Sequence, residues 1–235
     1  MIKMDGLLLV DKPKGWTSFD VVAKVRGILR ADARAKGTPG KIKVGHTGTL
    51  DPMATGLLVL AIGKYTKKVP ELTKKDKIYE CFVTLGATST TDDAEGTLQT
   101  FSTSKPSLGQ LKSELAGFVG EIQQVPPQFS AIKVGGVRSY AVARRGDIVK
   151  LEPRTVTIYS ISDIKYDYPK VSFVAHVGSG TYIRSIARDV GQKLVVGAYL
   201  SDLRRIKVGD FLISDAVDVS DINYELIAKN TIALK

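Results

Sequence analysis

The sequence predicts an α+β fold, and three patterns carry that expectation. Residues Leu57-Leu58-Val59-Leu60-Ala61-Ile62 form an uninterrupted apolar run of strand length. Val171, Phe173 and Ala175 alternate with Ser172, Val174 and His176, the period of a half-buried strand. Ile183, Ile186, Ala187, Val190 and Leu194 recur at i, i+3, i+4, i+7 and i+11, the stripe of an amphipathic helix. Such segments follow one another irregularly, without the strand–helix alternation of a doubly wound parallel sheet. A chain of 235 residues with 43% hydrophobic and 25% charged residues can bury a substantial core, as one large domain or two small ones.

From the N-terminus, Gly6 to Val10 reads as a short strand stopped by Lys12-Pro13-Lys14-Gly15. Thr17 with Asp20 three residues on is a capping-box pattern, which opens a helix to about Leu29. Ala31 to Lys43, containing Gly37-Thr38-Pro39-Gly40, reads as a basic loop. Tyr79 to Leu85 has strand composition, and Thr88 to Gly96 reads as a polar, acidic loop. Leu108, Leu111, Leu115, Phe118 and Val119 have helical spacing, and Val156 to Ile161 is a further strand. Arg184 sits in the first turn of the helix that follows Gly178-Ser179-Gly180-Thr181, with Arg188 one turn on. There is no internal repeat, low-complexity tract or clear linker, so residues 1–235 read as a single domain.

Composition narrows the function classes. One cysteine excludes an intrachain disulfide and a cysteine-based metal cluster, and two histidines exclude a His-rich one. Cys81, inside Tyr79-Glu80-Cys81-Phe82-Val83, reads as a small buried apolar residue. No apolar stretch approaches the roughly 20 residues of a membrane span, and Asp11-Lys12 interrupts the first apolar run too early for a signal peptide. A cytoplasmic location away from any membrane is the expectation. The net charge of +10 points to a polyanionic partner. The charge is uneven: residues 1–80 carry sixteen Lys/Arg against eight Asp/Glu, and residues 123–155 six against two. RNA contact is the better account of that pattern, a solvated basic surface the blander one.

The most informative segment is Gly45-His46-Thr47-Gly48-Thr49-Leu50-Asp51-Pro52-Met53-Ala54-Thr55. Pro52 fixes its own backbone and biases Asp51 toward an extended conformation. The apolar run that follows sets Asp51 at the edge of a rigid core. A fixed carboxylate beside a His and several hydroxyls suits a nucleophile or a base. Taken by itself, an Asp-Pro turn feeding a strand is usually only a turn.

Together with Gly56-Leu57-Leu58, this segment resembles the catalytic motif of the TruB family of pseudouridine synthases, which isomerise uridine 55 in the T-loop arm of transfer RNA. Leu7-Leu8-Leu9-Val10-Asp11-Lys12-Pro13-Lys14-Gly15-Trp16-Thr17-Ser18 is similar to the family's opening segment. Val125-Pro126-Pro127-Gln128-Phe129-Ser130-Ala131-Ile132-Lys133 and Gly180-Thr181-Tyr182-Ile183-Arg184-Ser185 match further segments, in family order. The likeness runs from about Gly6 to Phe211. It implies a mixed, mostly antiparallel central sheet flanked by helices, with a central RNA-binding cleft.

The resemblance also implies roles. Asp51 matches the catalytic Asp, which either attacks the sugar or base covalently or assists departure of the base and deprotonates the sugar. Arg184 matches the Arg that pairs with it; an opposite charge within about 4–6 Å lowers a carboxylate pKa by roughly 1–3 units. Without the resemblance, an Arg in a first turn reads as surface. Tyr79 matches the active-site Tyr that stacks on the flipped base, although a Tyr in an alternating strand is by default core. His46 matches the residue that fills the gap left by the flipped base, whereas a lone His in a turn reads as exposed or bonded to backbone. Leu203, at what reads as a helix–loop region, matches an apolar residue of the base pocket, and packing alone explains it equally well. Asp93 lies in a family-like acidic loop and takes a supporting role.

Val125 to Glu152 resembles the family's mobile RNA-gripping loop. Within it Lys133, Arg138, Arg144 and Arg145 are candidate phosphate contacts, and Tyr140 stacks or packs. Two departures touch packing and pocket shape: Val177-Gly178-Ser179-Gly180 where the family has Cys-Ser before its Gly-Thr-Tyr-Ile-Arg, and Asp202 before Leu203. The 24 residues after Phe211 read as a short extension (212–235), too few for the family's PUA module, so affinity leans on the basic surface. The expectation is a monomeric tRNA pseudouridine synthase that binds the T-stem and T-loop, with no cofactor, metal or obligatory protein partner. Two rivals remain: an RNA-guided ribosomal-RNA enzyme, which in the family relies on that module, and a non-catalytic tRNA-folding chaperone.

Overall fold

The computed structural model describes residues 4–38, 41–130, 132–147 and 149–233; the side chains of Lys133, Arg138 and Ala141 lie outside what is described. The chain divides into two compact units, Met1–Tyr79 with Arg204–Lys235, and Glu80–Leu203. It begins in the first unit with β1 (Gly6–Lys12), α1 (Ser18–Ala35), β2 (Val44–His46), β3 (Thr55–Ile62) and α2 (Val69–Leu72). It then passes into the second along β4 (Lys77–Leu85). There follow β5 (Ala87–Ser89), β6 (Leu98–Thr100), α3 (Leu108–Ala116), β7 (Gly120–Gln124), β8 (Lys133–Val134), β9 (Val137–Arg138) and α4 (Ser139–Ala143). The long strands β10 (Arg154–Asp167) and β11 (Lys170–Val177) lead to α5 (Ile183–Lys193). The chain returns along β12 (Ala198–Val208) and ends with β13 (Phe211–Leu212), β14 (Val217–Asp218) and α6 (Tyr224–Asn230). Among the described residues no helix is long and apolar enough to cross a membrane.

In the first unit β1 and β3 pair antiparallel from Gly6↔Ile62 to Lys12↔Gly56. Both faces of this pair are buried, which is why the two segments read as unbroken apolar runs instead of alternating ones. On one face Leu8, Val10, Leu58, Leu60 and Ile62 meet Val21, Val22, Val25 and Leu29 of α1. On the other, Leu7, Leu9, Leu57, Val59 and Ala61 pack with Leu72 and Val208. Burying each such side chain contributes about 1.5–3 kcal/mol. The far half of β12 joins β3 in parallel, Arg204↔Thr55 and Arg205↔Gly56, and β2 flanks β3 antiparallel.

The tail of the chain is woven into this unit. β14 runs parallel to β1, Ile227 is fully buried, and Leu7 and Ile232 exchange backbone hydrogen bonds at 2.8 Å. The helix opened by Thr17 carries the expected box, with Asp20 N donating to Thr17 Oγ1 at 3.1 Å and Thr17 N to the Asp20 carboxylate at 2.8 Å. It continues beyond Leu29, however, so residues 31–35 are helical and not loop. The helix formers Ala31, Ala33, Arg34 and Ala35 and a 2.7 Å Asp32–Lys36 pair carry it on, until Gly37 at φ +64° ends it.

The second unit is built on the antiparallel pair β10–β11, from Ile158↔Val177 to Asp167↔Lys170, extended antiparallel by β7. The alternating set Val171, Phe173, Ala175 and Val177 is buried, as are Cys81, Val83 and Leu85 of β4 and Leu111 and Leu115 of α3. Burial pushes the Cys81 thiol far above its ordinary pKa, so it is an inert core residue. The acidic segment 88–96 belongs to the β5–β6 hairpin, Ala87↔Thr100 to Ser89↔Leu98. Leu203, expected at a helix–loop boundary, stands inside β12, whose buried positions Ala198, Leu200, Leu203, Arg205 and Val208 do not keep a strict period of two. That broken period hides the strand from pattern reading.

Candidate active site

The Asp51 loop bridges β2 and β3, and its backbone is satisfied from three directions. Every carbonyl from Gly48 to Pro52 accepts a hydrogen bond. Arg205 Nη2 donates to Gly48 O at 3.0 Å and Nη1 to Thr49 O at 3.5 Å, while Nε donates to Leu57 O at 2.7 Å on the other limb. Ser18 Oγ donates to Leu50 O at 3.1 Å and accepts from Leu50 N at 2.8 Å. Ala54 N donates to Asp51 O at 3.1 Å, closing the turn around Pro52. Pro52 O takes Gly15 N at 2.8 Å and Lys12 Nζ at 3.3 Å. A loop held at consecutive carbonyls presents its side chain in one place, and Asp51 is half-buried at its apex.

Around this loop the first unit gathers His46 and Lys77, and the same unit carries Tyr79. His46 lies on β2 opposite Leu60, not in a free turn. Its Nδ1 is buried without a hydrogen-bond partner among the described residues. Burial, and then the Arg205 cation, lower its pKa, so the ring is neutral at pH 7 and suited to stacking instead of phosphate binding. Lys77, at 7% exposure, donates to Thr73 O at 2.9 Å and to Lys75 O. Burial first and Arg205 second bring its pKa down to about 8. Tyr79 is 8% exposed on β4.

The second unit brings Arg184 and Asp93 together, and it also carries Leu203. Arg184 is 5% exposed, so the surface reading of a first-turn Arg does not hold. Its Nη1 stands 3.4 Å from the Asp93 carboxylate and 3.3 Å from Thr91 O, and its Nη2 donates to Phe129 O at 2.9 Å. Asp93, 2% exposed, also accepts from Glu95 N at 3.0 Å and from the Thr91 hydroxyl. One turn along α5, Arg188 bridges Asp92 at 3.0 Å, Asp189 at 2.8 Å and Val125 O at 3.0 Å. Burial raises the Asp92 pKa although Arg188 and Arg184 both oppose it. Asp92 has φ +63°, the left-handed conformation Asp tolerates better than most residues, and adjacent carboxylates thereby serve two arginines.

Leu203 is buried in β12. In the 125–152 segment Arg144 and Arg145 are exposed, and the Arg144 guanidinium lies 5.4 Å from the Tyr140 ring centroid. The side chains of Lys133 and Arg138 lie outside the described residues. Gln128 ties the start of this segment to its end, exchanging hydrogen bonds with Val149 at 2.8 and 3.0 Å.

Arg205 and Ser18, which complete the bracing of the Asp51 loop, were not singled out by sequence. Arg205 reads as one more basic residue after Leu203, and Ser18 as the residue after a helix cap. Neither carries a signal that pattern reading finds, because the broken period of β12 hides the inward position of Arg205.

The TruB family pseudouridylate synthase N-terminal domain matches residues 35–183, and the tRNA pseudouridylate synthase B C-terminal domain matches residues 184–234. The chain belongs to the TruB family of pseudouridine synthases. Proteins named tRNA pseudouridine synthase B are similar over almost its whole length. The one from Clostridium kluyveri is 40% identical over 98% of this chain and 76% of its own. The one from Flavobacterium johnsoniae is 41% identical over 91% and 93%. That from Ruegeria sp. is 44% identical over 94% and 70%.

Among solved structures, a Cbf5-Nop10-Gar1 complex contains a chain that matches 97% of this one with a TM-score of 0.73 and 28% identity. An H/ACA RNP bound to a substrate RNA containing 2'-deoxyuridine matches 92% with a TM-score of 0.66 and 28% identity. This chain spans 60% and 51% of those two. The pseudouridine synthase fold expected from sequence is therefore present, and the TruB membership makes the chain an isomerase.

Proposed function

We propose that the chain isomerises uridine 55, in the T-loop arm of tRNA, to pseudouridine. The braced Asp51 carries this reading: a half-buried carboxylate whose loop is fixed at five successive carbonyls is built for positional accuracy. The name borne by relatives up to 44% identical supports tRNA as the substrate. The reaction breaks the glycosidic C–N bond and rejoins the ring through carbon. Asp51 serves it either as a nucleophile or by assisting base departure and deprotonating the sugar; both routes need it ionised.

Arg184 is the cation that the resemblance pairs with Asp51, and Asp93 holds it. Tyr79 stacks on the flipped base, Leu203 lines its pocket, and the neutral His46 fills the gap it leaves. Arg144, Arg145, Lys133 and Arg138 hold phosphates of the T-stem and T-loop, with Tyr140 beside them. In this reading the enzyme is a cytoplasmic monomer with no cofactor and no obligatory protein partner.

The test is to incubate the protein with an unmodified tRNA transcript and map pseudouridine by carbodiimide-blocked primer extension. A single stop at the T-loop uridine, lost in Asp51→Ala, is the expected result. Product that persists in Asp51→Ala overturns the role of Asp51, and a stop elsewhere overturns the site.

A further inference from the structure

Arg205 is 2% exposed, and among the described residues no carboxylate pairs with it. A buried cation without a counter-ion is tolerated only where its donors are satisfied, and an apolar side chain at the same strand position would pack without that cost. Its three hydrogen bonds go to Gly48, Thr49 and Leu57, carbonyls on the two limbs of one loop, with Asp51 between them. The guanidinium is therefore a cross-brace, and its planar fork of donors is what lets one side chain reach both limbs. Ser18, fully buried at the start of α1, closes both backbone polar groups of Leu50, the residue immediately before Asp51. Two elements far apart in sequence, α1 and β12, thus converge on one loop.

We infer that the Arg205 guanidinium and the Ser18 hydroxyl are positioning groups for the Asp51 carboxylate, fixing the loop that carries it. The inference rests on Asp51 being the catalytic group. Neither residue touches the reacting atoms in this account; each acts on chemistry through the backbone it holds.

The experiment compares Arg205→Lys, Ser18→Ala and Ser18→Thr with the unaltered chain. Single-turnover pseudouridine formation is measured at saturating tRNA transcript, with Kd from filter binding and hydrogen exchange over residues 48–57. Arg205→Lys keeps the charge but not the fork, and a misplacement near 1 Å costs on the order of 100-fold in rate. The expected pattern is a fall of about 10- to 100-fold for Arg205→Lys and a smaller fall for Ser18→Ala, with Kd within about threefold. Exchange over 48–57 speeds up in both, and Ser18→Thr, which keeps the hydroxyl, restores most of the rate.

Saturating rates within about threefold of the unaltered chain, or losses that lie wholly in Kd, overturn the inference. If Arg205→Lys does not fold, the Ser18 pair decides. If the unaltered chain forms no pseudouridine, the substrate reading has failed, and exchange alone decides the brace: unchanged protection of 48–57 in Ser18→Ala overturns it.

Discussion

Lys77 sits in the first unit with its ammonium turned onto the Thr73 and Lys75 carbonyls, and its Cε lies 3.6 Å from where a Cβ on Gly48 would stand. Burial, reinforced by Arg205, lowers its pKa from the ordinary 10.5 to about 8. Between those two pH values the unfolded chain holds a proton that the folded chain has released, so stability rises with pH across the window. Below about 8 the folded state bears the full cost of the buried charge. In Lys77→Met the rise is expected to disappear, leaving a flatter profile than the unaltered chain in urea unfolding followed from neutral to alkaline pH. Parallel profiles for the two chains would count against the buried-cation account.

None of this was legible in the sequence, where Lys77 is one of several lysines in Lys74-Lys75-Asp76-Lys77. Asp51 stands out in the sequence as a candidate because its neighbours are as distinctive as it is. Arg184 becomes a candidate only through the resemblance, and nothing in a first-turn Arg says it will be buried against Asp93, some ninety residues earlier.

At the scale of elements, local signals were readable wherever one chemical pattern fixes one geometry. The Thr17–Asp20 box and the apolar stripe of α5 are of this kind. Patterns failed where burial is uneven along an element. Most of β10 beyond Ile158 is exposed or half-exposed, so its outer half carries no alternation although it pairs through Asp167. The close approach of β3 to β12 was also invisible, and it yields a prediction. Gly56 has φ +100°, and a Cβ there would lie 2.3 Å from the Arg205 carbonyl oxygen and 2.8 Å from its nitrogen. Neither is a flexible side-chain end, so Gly56→Ala must force the strands apart while adopting a strained backbone. The expected loss is about 2 kcal/mol or more, as overpacking and backbone strain each cost on the order of 1–3 kcal/mol. Equilibrium urea unfolding measures it, and a loss below about 0.5 kcal/mol, the range of an ordinary surface change, would contradict the close packing.

For the whole molecule, the division into two units left no trace in composition because the chain crosses between them inside strands, at Tyr79–Glu80 in β4 and Leu203–Arg204 in β12. A crossing within a strand needs no Gly/Pro/Ser-rich linker. Net charge, by contrast, was legible from the start, and its meaning can be measured. Each phosphate neutralised by a Lys or Arg releases condensed counterions and adds about 0.7–0.9 to the slope of log K against log salt. Binding of a tRNA transcript should therefore weaken linearly on that plot. Arg144 and Arg145 are exposed, and if they hold phosphates, Arg144→Ala and Arg145→Ala should each flatten the slope by about 0.7–0.9. Affinity should also drop by a similar factor for tRNAs of different sequence, since phosphate contacts carry no sequence information. A solvated basic face behaves differently: removing one of its charges moves the long-range field slightly and leaves the slope where it was. The slope thus separates arginines that hold phosphate from arginines that merely keep the surface positive, a distinction that neither net charge nor exposure makes.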